Sequence, residues 1–238
     1  MADLERKKEY RATVFRADYF VIRGLGRFLE ISLRKYARPG MLVVDIGCGE
    51  QPLRTVVEGC GARYIGIDIS QNSGRSVHFL SSLAGLGLAD ECIHLVLVTE
   101  VLEHVADAWS AFREIARVLR PGGYVILTSP FMYPLHEEPR DYERHTGQGL
   151  GILSEGAGLD VICSDRSGNE LEVIATVWDN LWRRIDRDDL PFKAVRLAMR
   201  GMVNAPVAVI SRLFGRLLPG KSYLSNLLVL QKKGNADR

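Results

Sequence analysis

The stretch that most constrains this chain is residues 41–49, MLVVDIGCG. Leu42, Val43, Val44 and Ile46 form a short apolar run rich in β-branched residues, closed by Gly-Cys-Gly. Such a run reads as a strand buried on both faces and ending in a tight turn. Gly47 and Gly49 lack the Cβ atoms that would hold a ligand away from the backbone. Residues 52–58 can start a helix, with Pro52 suited to its first turn. Strand, glycine turn and helix together build a nucleotide-sized crevice at the carboxyl edge of a parallel sheet.

Two residue choices narrow what that crevice holds. Asp45, two positions before the first glycine, puts an acceptor at the turn, which suits a cofactor carrying an ammonium group and suits a pyrophosphate poorly. The third glycine of the dinucleotide fingerprint is absent, since Pro52 stands three positions after Gly49. Residues 63–69, RYIGIDI, read as a second strand ending in Asp68. A carboxylate there is placed to hold a ribose diol.

DIGCG at 45–49, GIDIS at 66–70, EVLEHV at 100–105 and RVLRPGGYVILTSP at 117–130 resemble the class I S-adenosylmethionine-dependent methyltransferases, in that family's order and spacing. The resemblance covers roughly residues 20–165 and a final strand. It implies an α/β fold: a Rossmann-like, doubly wound, seven-stranded sheet, mostly parallel with an antiparallel last strand, plus a helical insertion before that strand. It divides the chain into an N-terminal helical cap (1–40), the cofactor-binding core (41–168), the insertion (169–222), and the last strand with the tail (223–238). It implies S-adenosyl-L-methionine as cofactor. Asp45, Gly47, Cys48 and Gly49 would hold its amino-acid end, Asp68 the ribose, Ile69, Ser82 and Leu83 the adenine, and Glu100 and Val101 the methionine side. Relatives often carry an Asp after the third strand; Ser82 stands there instead, and a hydroxyl still accepts a hydrogen bond but without charge.

Charge and cysteine usage exclude several classes. A net charge of +2 gives no argument for a nucleic-acid partner. Cys48, Cys60, Cys92 and Cys163 form no Cys-x-x-Cys pair, so neither disulfides nor structural zinc is expected, which fits a reducing cytoplasm. The charged N-terminus lacks the apolar core of a signal peptide. No uncharged apolar run approaches the roughly 20 residues of a membrane span.

Along the chain, residues 4–38 read as helix, with Gly24 and Gly26 marking a break and Arg38-Pro39-Gly40 the end. That segment either packs on the sheet or closes over the cofactor. Strands are expected at 77–80, 92–99, 124–129, 159–164 and 224–232. Helices are expected at 107–119, with Asp107 as N-cap, and at 148–156, capped by Thr146. Residues 120–123 read as a turn. Residues 130–146, PFMYPLHEEPRDYERHT, are long for a loop and mix aromatic with titratable groups, the pattern of a binding wall.

Within that loop His136 is read as a general base for an acceptor hydroxyl, with His104 as a second site-lining imidazole. A divalent-metal reading of the two His and nearby carboxylates and a purely structural one stand beside it; no metal is assigned. In 169–222, Arg residues alternate with an apolar helical face, and Pro206 is expected to kink or end a helix. The face packs on the domain or on a second subunit, as in a homodimer. Alternatively, 192–218 makes peripheral contact with a membrane or a lipid-linked substrate. The resemblance extends to methyltransferases of bacterial glycan and polysaccharide biosynthesis. It points to methyl transfer onto a hydroxyl of a small acceptor, a sugar or glycan precursor. The alternatives are a phenolic quinone precursor or natural product, a cofactor-binding protein without turnover, and a nicotinamide oxidoreductase.

Overall fold

The computed structural model describes residue 10, residues 12–183 and residues 190–234. The expectations for residues 1–9 and 11, for 184–189 and for 235–238 lie outside the described residues.

Seven strands form one sheet in the order β3-β2-β1-β4-β5-β7-β6. They are β1 (Leu42–Ile46), β2 (Arg63–Asp68), β3 (Phe79–Leu80), β4 (Ile93–Thr99), β5 (Leu119–Pro130), β6 (Leu159–Ser167) and β7 (Ser225–Lys232). The first five pair in parallel. β7 inserts between β5 and β6 and runs antiparallel to both. The parallel strands need crossovers, and α2 (Arg54–Gly59) and α3 (Ala108–Val118) supply two of them. The doubly wound sheet with its antiparallel final strand is as expected.

Both faces of the central strands are covered. On one side Val44, Val96, Val98 and Leu127 pack with Phe112 and Ile115 of α3. On the other, Val43, Leu95, Leu97 and Ile126 pack with Phe20, Leu25, Leu29 and Leu33 of α1 (Tyr19–Tyr36). Each fully buried side chain of this size contributes roughly 1.5–3 kcal/mol, which fixes which strands lie in the middle.

Several local readings change. α1 is unbroken through Gly24 and Gly26. Both glycines permit close approach instead: a Cβ on Gly24 would lie 1.7 Å from Ser167 Oγ, and one on Gly26 2.9 Å from the Tyr10 carbonyl oxygen. The turn at 120–123 is absorbed into β5, where the pairing with β4 shifts register between Ile93 and Leu95. β3 shrinks to two residues, both exposed. α5 (Glu170–Arg183) and α6 (Leu190–Phe214) form the insertion, and α6 continues through Pro206, which interrupts one backbone hydrogen bond without ending the helix. α3 starts as expected, with the Asp107 carboxylate accepting from the Ser110 N–H. α4 (Gly147–Gly156) is capped by the Thr146 hydroxyl, which accepts from Gly149 N–H.

Candidate functional site

The turn after β1 is held from within. The amides of Gly47 and Cys48 both donate to the Ile67 carbonyl, at 2.8 and 3.0 Å. The amide of Gly49 donates to Asp68 Oδ2 at 2.9 Å, and Ser70 N–H donates to Asp68 Oδ1 at 3.2 Å. Gly47 and Gly49 have φ of 70° and 50°, which L side chains rarely adopt. A Cβ on Gly47 would meet Val101 Cγ2 at 2.3 Å, whereas one on Gly49 would point into open space. Gly49 therefore faces open space at the ligand edge, and Val101 packs behind the turn.

Asp45 is buried below that turn. Its Oδ2 accepts from the Tyr64 hydroxyl at 2.7 Å, and its Oδ1 is buried with no hydrogen-bond partner among the described residues. Burial raises its pKa to about 7, against the Tyr64 hydrogen bond, which lowers it; the charge of Asp68 adds to the rise. Tyr64 is pushed above the ordinary tyrosine range, by burial first and then by Asp45.

Every amide of the Gly-Cys-Gly turn is thus spent inside the protein, and two carboxylates flank the turn. A pyrophosphate needs free N–H donors at such a turn; this one offers acceptors. Its donor set fits S-adenosylmethionine: carboxylates for an ammonium group and a ribose diol, open space over Gly49, and a vacant acceptor at Asp45 Oδ1.

The other expected cofactor residues fall along the same edge. Ile69 is 59% exposed beside Asp68, a placement suited to stacking against a flat ring. Cys48 is buried with its sulfur against Gly66. Ser82 is exposed, and its hydroxyl accepts from Ala84 N–H. The Leu83 side chain is buried in the core, leaving its backbone as the part a ligand can reach. Glu100 has φ of 54° and donates its amide to the Thr128 carbonyl. Gln51, Glu100 and Glu137 are all non-glycine residues at positive φ on the loops of this edge, and strain of this kind gathers at functional sites.

His104 and His136 come together although 32 positions separate them. Residues 102–104 make a single turn of 3₁₀ helix after β4, and His136 lies in the loop after β5. Their ring centroids are 5.0 Å apart. Glu103, with 0% exposure, places Oε1 3.8 Å from the Nε2 of each ring. The loop is tied down by Tyr142 N–H donating to the Glu103 carbonyl at 2.8 Å. Asp141 accepts from His136 N–H and lies 3.2 Å from His136 Nδ1, and Arg144 clamps its two oxygens. Burial pushes His136 down to about 4; Asp141 opposes this, while His104 and Arg144 add to it. Asp141 sits below the usual carboxylate range: burial works the other way and is outweighed by Arg144 and the His136 amide.

The sequence alone assigns no role to Glu103, Asp141 or Arg144. The Asp-x-x-Arg spacing was the one available signal for the clamp; nothing local points Glu103 at His136. A cleft of about 330 Å³, lined among others by Trp109, Glu143, His145 and Ile152, opens beside the end of the loop.

Residues 44–127 match a family model described as a methyltransferase domain. A ubiquinone biosynthesis O-methyltransferase from Rhizobium johnstonii is 38% identical over 109 residues, 40% of this chain and 44% of that protein. The chain spans less than half the length of the first curated relatives it matches. Among solved structures, phosphoethanolamine N-methyltransferase 2 from Haemonchus contortus, crystallised with S-adenosyl-L-methionine, aligns with a TM-score of 0.56 at 16% identity, covering 92% of this chain and 56% of that one. The [4+2]-cyclase SpnF aligns at 0.57 and 18% identity, covering 87% and 81%. The architecture is therefore the Rossmann-like methyltransferase fold, and the SpnF likeness illustrates why fold alone does not fix chemistry.

Proposed function

We propose that this chain binds S-adenosyl-L-methionine and transfers its methyl group to a hydroxyl of a small-molecule acceptor. The observation that carries this is the turn whose three amides are all internally spent while Asp45 and Asp68 flank it. Such a crevice favours a cationic ligand with a diol and disfavours a pyrophosphate, which counts against a nicotinamide oxidoreductase. The matched methyltransferase domain gives the same reading independent support.

When bound, the cofactor supplies a methyl group already activated on a sulfonium. The protein's own work is then placement: holding an acceptor oxygen in line and keeping water out. We assign His136 and His104 to activation of the acceptor hydroxyl. His136 is neutral at pH 7, so one ring nitrogen has a lone pair available to a hydroxyl proton. Asp141 beside Nδ1 steadies the positive charge that forms as the proton arrives.

The hydrogen-bonding groups of the 130–146 loop suit a sugar or glycan precursor. A phenolic quinone precursor is the second reading, and the similarity to the ubiquinone biosynthesis O-methyltransferase supports it. For partners, we infer peripheral contact with a membrane or a lipid-linked acceptor through 192–218. Met202, Val209, Leu213 and Phe214 are exposed on α6. No acidic residue lies between 190 and 236, while Lys193, Arg196, Arg212 and Arg216 do. No described helix is long and apolar enough to cross a membrane.

The test is calorimetric titration with S-adenosylmethionine, S-adenosylhomocysteine and NADH, repeated on Asp68→Ala. Binding of the first two, weakened at least tenfold in the variant, is expected. Binding of NADH alone would refute the proposal. Methyl transfer is then screened on nucleotide sugars and on phenols, and His136→Ala should lose about 10²- to 10⁴-fold in kcat while keeping its cofactor affinity.

A further inference from the structure

Glu103, His104 and His136 present one ligand atom each within a sphere where all lie less than 4.8 Å apart. Their orientation is specific. His104 Nδ1 is 2.7 Å from the Arg140 carbonyl oxygen; a carbonyl only accepts, so the ring proton sits on Nδ1 and the lone pair on Nε2. His136 Nδ1 lies 3.2 Å from the Asp141 carboxylate, a charge contact without hydrogen-bond geometry. Both Nε2 atoms lie 3.8 Å from the same Glu103 oxygen.

A buried carboxylate oxygen with an imidazole nitrogen 3.8 Å away in each of two rings is a mixed nitrogen and oxygen donor set of the kind that holds a cation. The spacing is too long for a hydrogen bond. It is close to the edge of a coordination tetrahedron, about 3.3–3.6 Å for bonds of about 2.0–2.2 Å to imidazole nitrogen and carboxylate oxygen. The bond from His104 Nδ1 to the Arg140 carbonyl is of the kind that orients a metal-bound imidazole.

We propose that Glu103, His104 and His136 form a binding site for a divalent transition-metal ion of the Mn²⁺ or Zn²⁺ type. A two-imidazole, one-carboxylate set suits such ions better than Mg²⁺, which favours oxygen ligands. The site is open on one side. Glu103 is fully buried, whereas the His104 and His136 side chains are 17% and 30% exposed, and Glu137 Oε2 stands 3.7 Å from His104 Nε2 at the rim. Coordination positions facing outward are left for water or an acceptor oxygen, the layout of a catalytic rather than a structural metal site.

The metal site itself does not depend on the methyl-transfer reading. Its consequence for the acceptor does rest on that reading: a bound ion would take up both Nε2 lone pairs, turning His136 and His104 from proton acceptors into ligands. The ion would then lower the pKa of a coordinated hydroxyl directly.

The experiment uses the full chain stripped with EDTA and titrated with Mn²⁺, read by the loss of the free-ion electron paramagnetic resonance signal, with Zn²⁺ and Mg²⁺ as comparisons. Mn²⁺ is chosen because cysteine thiolates compete poorly for it. One equivalent is expected to bind, with Mg²⁺ at least tenfold weaker. His104→Ala and His136→Ala should each weaken Mn²⁺ binding at least tenfold. Glu103→Gln tests the third ligand; because that residue is buried, its circular dichroism is checked first, and the two His variants decide the matter if it does not fold. No Mn²⁺ binding, or binding unchanged in both His variants, overturns the proposal. Mn²⁺ binding without S-adenosylmethionine binding would sustain the metal site and remove the methyl-transfer reading; the reverse would do the opposite.

Discussion

Replacing Asp45 by Asn should change how stability depends on pH. The carboxyl is 1% exposed, and its pKa rises from 3.8 to about 7 on folding. A carboxyl raised in the folded state contributes stability that is present below its unfolded pKa and is lost as pH climbs through its folded one. Between pH 4 and 7 the unfolded chain is ionised at Asp45 while the folded chain holds the proton. Each pH unit in that window therefore costs about 1.4 kcal/mol, and the whole shift roughly 4 kcal/mol. Asn cannot ionise, and its carbonyl can still accept from Tyr64. The difference in unfolding free energy, variant minus wild type, should climb across that window and level off above pH 7. Urea unfolding of the ligand-free protein in a pH series measures it. The slope is the readout, because the amide's extra donor can add a constant offset. A difference that stays flat from pH 4 to 8 would refute the reasoning. Tyr64→Phe, which removes the hydrogen bond that lowers the Asp45 pKa, should extend the climb to higher pH.

Two further outcomes follow from the packing. Gly47→Ala combines a φ of 70° with a Cβ 2.3 Å from Val101 Cγ2, and should cost roughly 2–4 kcal/mol; thermal unfolding of this variant and of the Gly47→Ala, Val101→Ala pair should show partial recovery in the double variant, since only the clash is relieved. Leu213→Glu on the exposed face of α6 should reduce co-flotation with anionic vesicles while leaving cofactor binding intact; co-flotation equal to wild type, or none by the wild type, would remove the membrane contact and leave a second subunit as the alternative cover.

The features legible from residue order are local or periodic. The alternation of apolar runs with helical patterns gave the doubly wound sheet, because each strand buried on both faces writes a continuous run of Val, Ile and Leu. Gly47, Gly49, Asp45 and Asp68 could be placed because each acts within a few residues of a strand end. Thr146 and Asp107 were legible as caps because a cap acts on amides three residues ahead.

The remaining features depend on residues far apart in the chain. Gly24 and Gly26 looked like helix breakers and are contact points, because the atoms that exclude a Cβ belong to Ser167 and Tyr10. The internal spending of all three turn amides needs Ile67 and Asp68 from the next strand. Above all, nothing near Glu103 in the sequence points its side chain at His136. Only the return of the loop after β5 brings His136 and Asp141 against it, because parallel strands β4 and β5 deliver their following loops to the same edge of the sheet.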